Sequence, residues 1–374
     1  MIKNLIRLGI FAALLAACNS GETSYHQLGL YSRYLLSDTT VTDFRILSSC
    51  GKYGRMGKIY VLGEPEEVLE ISSYLLTSDH FNNINGRNVP DGLVDFAGED
   101  FCAVLDNLHT PYANLLSGDM KDSLIAASIR NFIAAVDSTY YLNIYDIEKL
   151  GRKIPAKMVV LASAPTAAYG YFDIDSLCDI AGCNVRLITP LHAMLDQSWA
   201  QHGKGLNLAV WTSDSTGLSG VYAEVMAHEK RLRADDAADY TVISPDAAAP
   251  DAMSAFLDFM RKYRSSKADK KLSSIIVDDW DADITALREA AESVKTLSHD
   301  SLITYKSLMQ DDFDIIGKRD AVVKACFSQM REHNLFTHRI SYPTVETYHT
   351  EASRSGSFML VGGKDNSKKK SERE

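Results

Sequence analysis

From residue 158 onward, short uninterrupted apolar runs alternate with stretches whose apolar positions fall three and four apart. Met158–Leu161, Val185–Ile188, Leu208–Trp211, Tyr240–Ile243 and Ser274–Val277 have strand length, and Leu302–Leu308 reads as a sixth strand. Between them, Leu218, Val221, Tyr222, Val225 and Met226 form one stripe, and Met253, Phe256, Leu257 and Met260 form a second. Ile284, Leu287, Ala291 and Val294 form a third. Steps of three and four place such side chains on one face of a helix. Strands apolar on both faces belong to a parallel sheet covered on both sides. Right-handed crossovers then wind the helices onto those two sides. The predicted fold class is α/β, with a doubly wound, mostly parallel, Rossmann-like sheet in two lobes.

The first half is less regular. Phe44–Leu47, Lys58–Leu62 and Gly92–Phe96 read as strands, and Glu66–Leu76 as a helix packing on Val68, Ile71 and Leu75. Lys121–Val136 carries the clearest helical stripe, through Ile125, Ile129, Phe132, Ile133 and Val136. After residue 310, a helix over Lys318–Glu332 and the segments His338–Tyr342 and Phe358–Val361 are expected to return to the first half. Lys364–Glu374 is almost wholly charged and polar, so it predicts a disordered tail. The expected organisation is a leader (1–17), a tether (18–40), an N-terminal α/β lobe (41–150) and a doubly wound lobe (151–310). A closing segment (311–363) and the tail (364–374) complete it.

The leader changes the picture of where the chain works. Lys3 and Arg7 precede Leu8–Ala17, an apolar run too short for a bilayer core of about 30 Å and built like a secretory signal. It ends in Leu15-Ala16-Ala17-Cys18, which resembles the bacterial lipobox. The resemblance implies cleavage ahead of Cys18 and acylation of its sulfur, so that the membrane is a partner through the lipid. Asn19, standing where an inner-membrane retention signal has Asp, implies the outer membrane. Two α/β lobes with crossing connections also resemble the architecture of type I periplasmic binding proteins, which implies a ligand cleft between the lobes.

Composition removes some alternatives. A net charge of −10 and a pI near 5.5 argue against a nucleic-acid partner. With Cys18 taken by lipid, Cys50, Cys102, Cys178, Cys183 and Cys326 remain, and an odd number leaves at least one thiol unpaired. Cys178 and Cys183 are close enough in sequence to pair; most of the five read as small buried hydrophobes. No C-x-x-C spacing or histidine pair accompanies them, so neither a metal nor another cofactor is expected.

Open parallel sheets bind ligands beyond the carboxyl ends of their strands. The residues at those ends are Ser163, Thr189, the run containing Ser213, Asp214 and Ser215, then Ser244 and Asp246, and finally Asp278. Their hydroxyls and carboxylates suit a polyol, a sugar or another small polar solute; the same residue types also serve as helix N-caps. Tyr169 and Tyr171, in what reads as a long loop over 164–175, could stack on a sugar face, while Asp173 and Asp175 are too few oxygen ligands for Ca²⁺. Catalytic motifs are incomplete. Gly217-Leu218-Ser219-Gly220 has its second glycine one place early for a nucleophile elbow, and His228-Glu229 lacks a second histidine. The expected function is non-catalytic binding of a small polar solute or glycan at the cell envelope. An assembly lipoprotein binding another envelope protein is the alternative, followed by an α/β hydrolase using Ser163 or Ser213 with a carboxylate near Asp278.

Overall fold

The computed structural model describes residues 27–51, 53–117, 120–214, 217–267, 270–296 and 300–362. Cys18, with the lipid expected on it, Ser215 and the tail 364–374 lie outside the described residues.

Two helices, α1 (Leu30–Ser37) and α2 (Thr42–Ser49), precede β1 (Lys58–Gly63), a strand buried along its whole length. Then follow α3 (Pro65–Thr77), β2 (Asp100–Leu105), α4 (Tyr112–Leu116), α5 (Lys121–Val136) and a small hairpin, β3 (Thr139–Tyr140) with β4 (Gly151–Arg152). β5 (Ala156–Leu161), α6 (Ala164–Tyr169), α7 (Tyr171–Ala181) and β6 (Arg186–Ile188) come next. α8 (Pro190–His202) carries the chain to a second sheet. There β7 (Asn207–Trp211), α9 (Ser219–Arg233), β8 (Asp239–Ile243), α10 (Ala252–Ser266) and β9 (Leu272–Val277) alternate. α11 (Ile284–Thr296), α12 (Asp300–Lys306) and β10 (Met309–Gly317) finish that lobe. α13 (Lys318–Glu332) returns to the first sheet, which β11 (Thr344–Ala352) and β12 (Phe358–Gly362) complete.

The first sheet has the order β12-β11-β2-β1-β5-β6 and the second β10-β9-β7-β8. All ladders of the two sheets are parallel except β11 with β12. Helices cover both faces of the first sheet. Ile129, Phe132 and Leu177 pack on one side, and Val68, Ile71, Val322 and Phe327 on the other. In the second lobe, Phe256, Phe259, Leu287 and Val294 bury one face. Leu195, Trp199, Val225 and Met226 join the core shared with the first lobe. The fold class is the doubly wound α/β arrangement in two lobes.

Several expected elements differ. Phe44–Leu47 lies in helix α2, because Phe44 and Leu47, one turn apart, share its buried side. Gly92–Phe96 is irregular: the Asp95 carboxylate accepts the N–H groups of His80 and Phe81, and the strand of this region is β2. Residues 300–306 are helical, and the sixth strand is β10, which begins only at Met309, beyond the expected run. Its first half carries Asp311, Asp312 and Asp314 at an open sheet edge, so it does not read as an apolar run. Residues 338–342 form no strand, and β11 begins only at Thr344. The supposed loop 164–175 is folded into α6 and α7. A division at residue 150 does not separate the sheets, since β5 and β6 belong to the first and the crossing falls at α8.

Cys183 pairs with Cys50 rather than Cys178, joining the end of α2 to the approach of β6 with Cα atoms 5.3 Å apart. Among the described residues Cys102, Cys178 and Cys326 are free and buried.

Candidate functional site

Parallel strands deliver the residues that follow them to one end of a sheet, and here the two sheets deliver theirs to a common place. Glu64 and Glu67 follow β1, the latter in the first turn of α3, whose Pro65 fixes the helix start. Ser163 follows the neighbouring strand β5. Gly63 has φ 145°, and a Cβ there would stand 2.9 Å from the Ser163 hydroxyl, so this crossing needs glycine. From the second sheet, Asp278 and Trp280 follow β9, Lys318 follows β10, and Tyr222 projects from α9.

Lys318 Nζ donates to Asp278 Oδ1 at 3.1 Å and stands 3.9 Å from Glu67 Oε1. The Tyr222 hydroxyl donates to Asp278 Oδ2 at 2.7 Å. The Lys318 ammonium lies 4.1 Å above the Trp280 ring, a cation–π contact inside a largely desolvated group. The Lys318 and Asp278 side chains are 5% and 8% exposed, whereas Glu67 keeps 23% and is where the cluster meets solvent. Two buried polar atoms have no hydrogen-bond partner, Glu67 Oε2 and Trp280 Nε1. Such atoms are uncommon in folded proteins and ask for an explanation.

Burial pushes the Glu67 carboxyl up to about 7, with Asp278 and Glu64 adding to the rise and Lys318 and Ser163 opposing it. Burial, together with the Asp278 carboxylate, also raises the Tyr222 phenol and keeps it a donor. Beside this group a second buried carboxylate braces the loop after β2. Asp106 accepts from His109 Nδ1 at 2.9 Å, the Tyr112 hydroxyl at 2.9 Å, the Asn131 amide at 2.8 Å and the Thr350 hydroxyl at 2.7 Å. Burial alone would raise Asp106, but these donors outweigh it and hold the carboxyl below its ordinary value. Glu64 Oε1 accepts the Tyr112 N–H, and the Glu64 N–H donates to the Ser163 hydroxyl, so the two groups are rigidly linked.

The structure divides the residues expected to line one cleft. Ser163 and Asp278 belong to the Glu67 group. Tyr169 is buried, with its hydroxyl 3.5 Å from the Gly220 carbonyl and Lys121 over its ring, so it packs rather than presents a stacking face. Thr189 caps α8, accepting the His192 N–H at 3.0 Å. Asp214 is exposed and closes a turn on the Gly217 N–H. Ser213 is exposed, and Ser244 and Asp246 follow β8, the far edge of the second sheet. Asp173 holds α1 by accepting the Gly29 N–H. The expected residues therefore line no common cleft: Ser163 and Asp278 meet at Glu67, and the others are a helix cap, a packed ring or exposed turn residues.

Two concavities lie elsewhere. A groove of about 730 Å³ runs along the open edge of β6, lined by Tyr171, Asp175, Thr189, His192, Asp196 and Lys324. A second, of about 350 Å³, includes Asp246. His192 stacks on Tyr171, and burial, with His228 and Arg233 adding, pushes it down to about 3. We place the candidate site at Glu67, because both sheets direct their strand ends there and ligands of such sheets bind at that position. Among the described residues no group of three His, Cys, Asp or Glu side chains could hold a metal.

Glu67 and Lys318 were not anticipated. The pair Glu66-Glu67 just after a strand, behind Gly63-Glu64-Pro65, was the available signal for the first. Lys318 was hidden because the strand before it was placed too early.

No known protein family and no curated protein matches this chain. Solved structures do. A glutamate racemase isoform of Bacillus anthracis is 12% identical with TM-score 0.46, covering 80% of this chain and 90% of that one. The glutamate racemase of Francisella tularensis is 14% identical with TM-score 0.45, covering 81% and 91%. An aspartate racemase homologue of Pyrococcus horikoshii is 14% identical with TM-score 0.36, covering 74% and all of that chain. The expected non-catalytic binding of a small polar solute or glycan is corrected, because the residues expected to line one ligand cleft are dispersed over a cap, turns and packed positions.

Proposed function

We propose that the chain is an enzyme whose Glu67 transfers a proton to or from a small polar substrate held between the two lobes. One observation carries this reading: a buried carboxyl, raised to about 7, with Oε2 unpartnered beside a buried cation. A group that is half ionised near neutral pH serves equally as acid and base. Raised carboxyls of this kind concentrate at catalytic sites. Lys318 stabilises negative charge that develops near Glu67, and Asp278 with Tyr222 holds the ammonium in place. The unpartnered Trp280 N–H supplies a donor to the substrate.

Incubating the full chain with a pool of polar metabolites in D₂O, followed by mass spectrometry, tests this. Deuterium incorporation or conversion of at least one compound is expected with wild type and lost in Glu67→Gln. A pool left unchanged by wild type, or equal turnover in the variant, removes the proposal.

The address is a separate proposal. We place the chain at the cell envelope with a lipid on Cys18, supported by the leader pattern and by the Cys50–Cys183 disulfide, a bond that oxidising compartments preserve. Absence of palmitate-analogue labelling, or unchanged membrane partition in Cys18→Ala, overturns it.

A further inference from the structure

The loop between β3 and β4 inverts the usual arrangement of a surface loop. Its polar side chains satisfy the loop itself: the Asp146 carboxylate accepts the N–H groups of Leu142 and Asn143 and the Asn143 amide, and Asn143 Oδ1 accepts the Tyr145 N–H. Its large apolar side chains are left in solvent. Leu142, Ile144, Tyr145, Ile147 and Leu150 are all exposed, Ile147 by 94% and Tyr145 by 67%, and Ile154, just beyond β4, is exposed as well. The loop is fixed against the sheet. Tyr141 donates to the Leu360 carbonyl and accepts from the Gly362 N–H, so the chain lies along the outer edge of β12. Arg354, in the turn between β11 and β12, stacks 5.0 Å from the Tyr145 ring.

Single exposed apolar residues are ordinary, but a concentrated patch beyond a few hundred Å² marks an interface. Six such side chains present on the order of 700 Å², close to the roughly 800 Å² that each partner contributes to a standard protein interface. Because the loop is already ordered by its own hydrogen bonds, little conformational freedom is lost when the patch is covered.

We infer that this loop forms the contact between two copies of this chain. The charges favour a second copy over a bilayer. Exposed Glu148 adjoins Ile147, the most exposed side chain of the loop, and Arg152 and Arg354 are exposed cations of the same region, whereas Lys149 is held by Asp137. A two-fold contact sets each copy's Glu148 against the other's cations, which makes the surface self-complementary. A bilayer would have to take up the Glu148 carboxylate beside Ile147, an unfavourable transfer. The inference stands apart from any reading of the Glu67 site.

Light scattering of the full chain, up to about 100 µM, tests it. The expected particle is twice 41.3 kDa. Ile147→Asp should weaken the association at least about 100-fold, as loss of an interface hot spot does. Ile340→Asp, at a fully exposed residue on a different loop, should leave it unchanged. A monomeric wild type at the highest concentration, or an Ile147→Asp protein that associates as tightly as wild type, overturns the inference. A monomer that floats with phosphatidylglycerol vesicles, and stops doing so in Ile147→Asp, overturns it in favour of a membrane contact.

Discussion

Lys318 Nζ stands 3.1 Å from Asp278 Oδ1, and the two residues follow adjacent parallel strands, β10 and β9. Both side chains are buried, so the pair is held in a medium where removing one charge strands the other. Lys318→Met should therefore destabilise the protein by about 3–5 kcal/mol, measured by chemical denaturation. Adding Asp278→Asn should recover a large part of that loss, because the double variant leaves no uncompensated charge. Equal, additive losses in the two single variants would show that the pair does not act as a unit.

Glu67 makes a prediction of opposite sign. Below pH 4.5 the carboxyl is neutral in folded and unfolded chains alike, and it carries no penalty. Between 4.5 and about 7 the unfolded chain releases its proton first, so the native state weakens as pH rises. Above that window the full penalty applies, on the order of 3 kcal/mol. Glu67→Gln should accordingly be more stable than wild type at pH 8 and match it near pH 4, while abolishing turnover. Thermal melts of both proteins across that range read it directly. A variant less stable than wild type at pH 8 would contradict the raised carboxyl.

His192 acts at the acid end. Its imidazole is neutral in the folded chain down to about 3, against 6.5 when free. The stability it contributes is complete above 6.5 and is lost as pH falls toward 3, since the unfolded chain takes up the proton first. His192→Gln, which does not titrate, should flatten the acid limb of the stability profile. An unchanged acid limb would assign that loss to other groups.

The Cys50–Cys183 bridge closes 133 residues of sequence. A cross-link over so long a segment restricts the unfolded chain strongly, and its removal should cost about 2–5 kcal/mol. Cys50→Ser, compared with wild type with and without reductant, measures this. If reductant lowers the melting temperature of wild type and leaves the variant unaffected, the bridge is the element responsible.

Much of the architecture was readable because the relevant residues are apolar on a regular period. Lys121–Val136 and Lys318–Glu332 were bounded correctly by their stripes, and β5, β7, β8 and β9 were located by their uninterrupted apolar runs, with the correct ends but earlier starts, at Ala156, Asn207, Asp239 and Leu272. β10 was misplaced because an edge strand can carry Asp311, Asp312 and Asp314 in water and lose the signal of a buried strand. The site was less legible than the fold. Ser163 and Asp278 could be placed at strand ends, but which strand ends meet depends on strand order, and order is set by long-range pairing that no local pattern records. Asp246 illustrates this, since β8 proves to be an edge strand and takes it away from the centre. Tyr222 was read as one member of an apolar stripe; its hydroxyl, not its ring, reaches Asp278.

The second lobe is inserted between β6 and β11, entering through α8 and leaving through α13, which pack side by side. A ribosome therefore releases the whole of that lobe before it releases Thr344–Gly362. Until then β2 is the unfinished margin of the first sheet, with its backbone groups waiting for β11. The nascent chain thus carries one finished lobe and one open margin at once, and premature termination near residue 340 should yield a sticky fragment that engages chaperones, although only a small part of the polypeptide is missing.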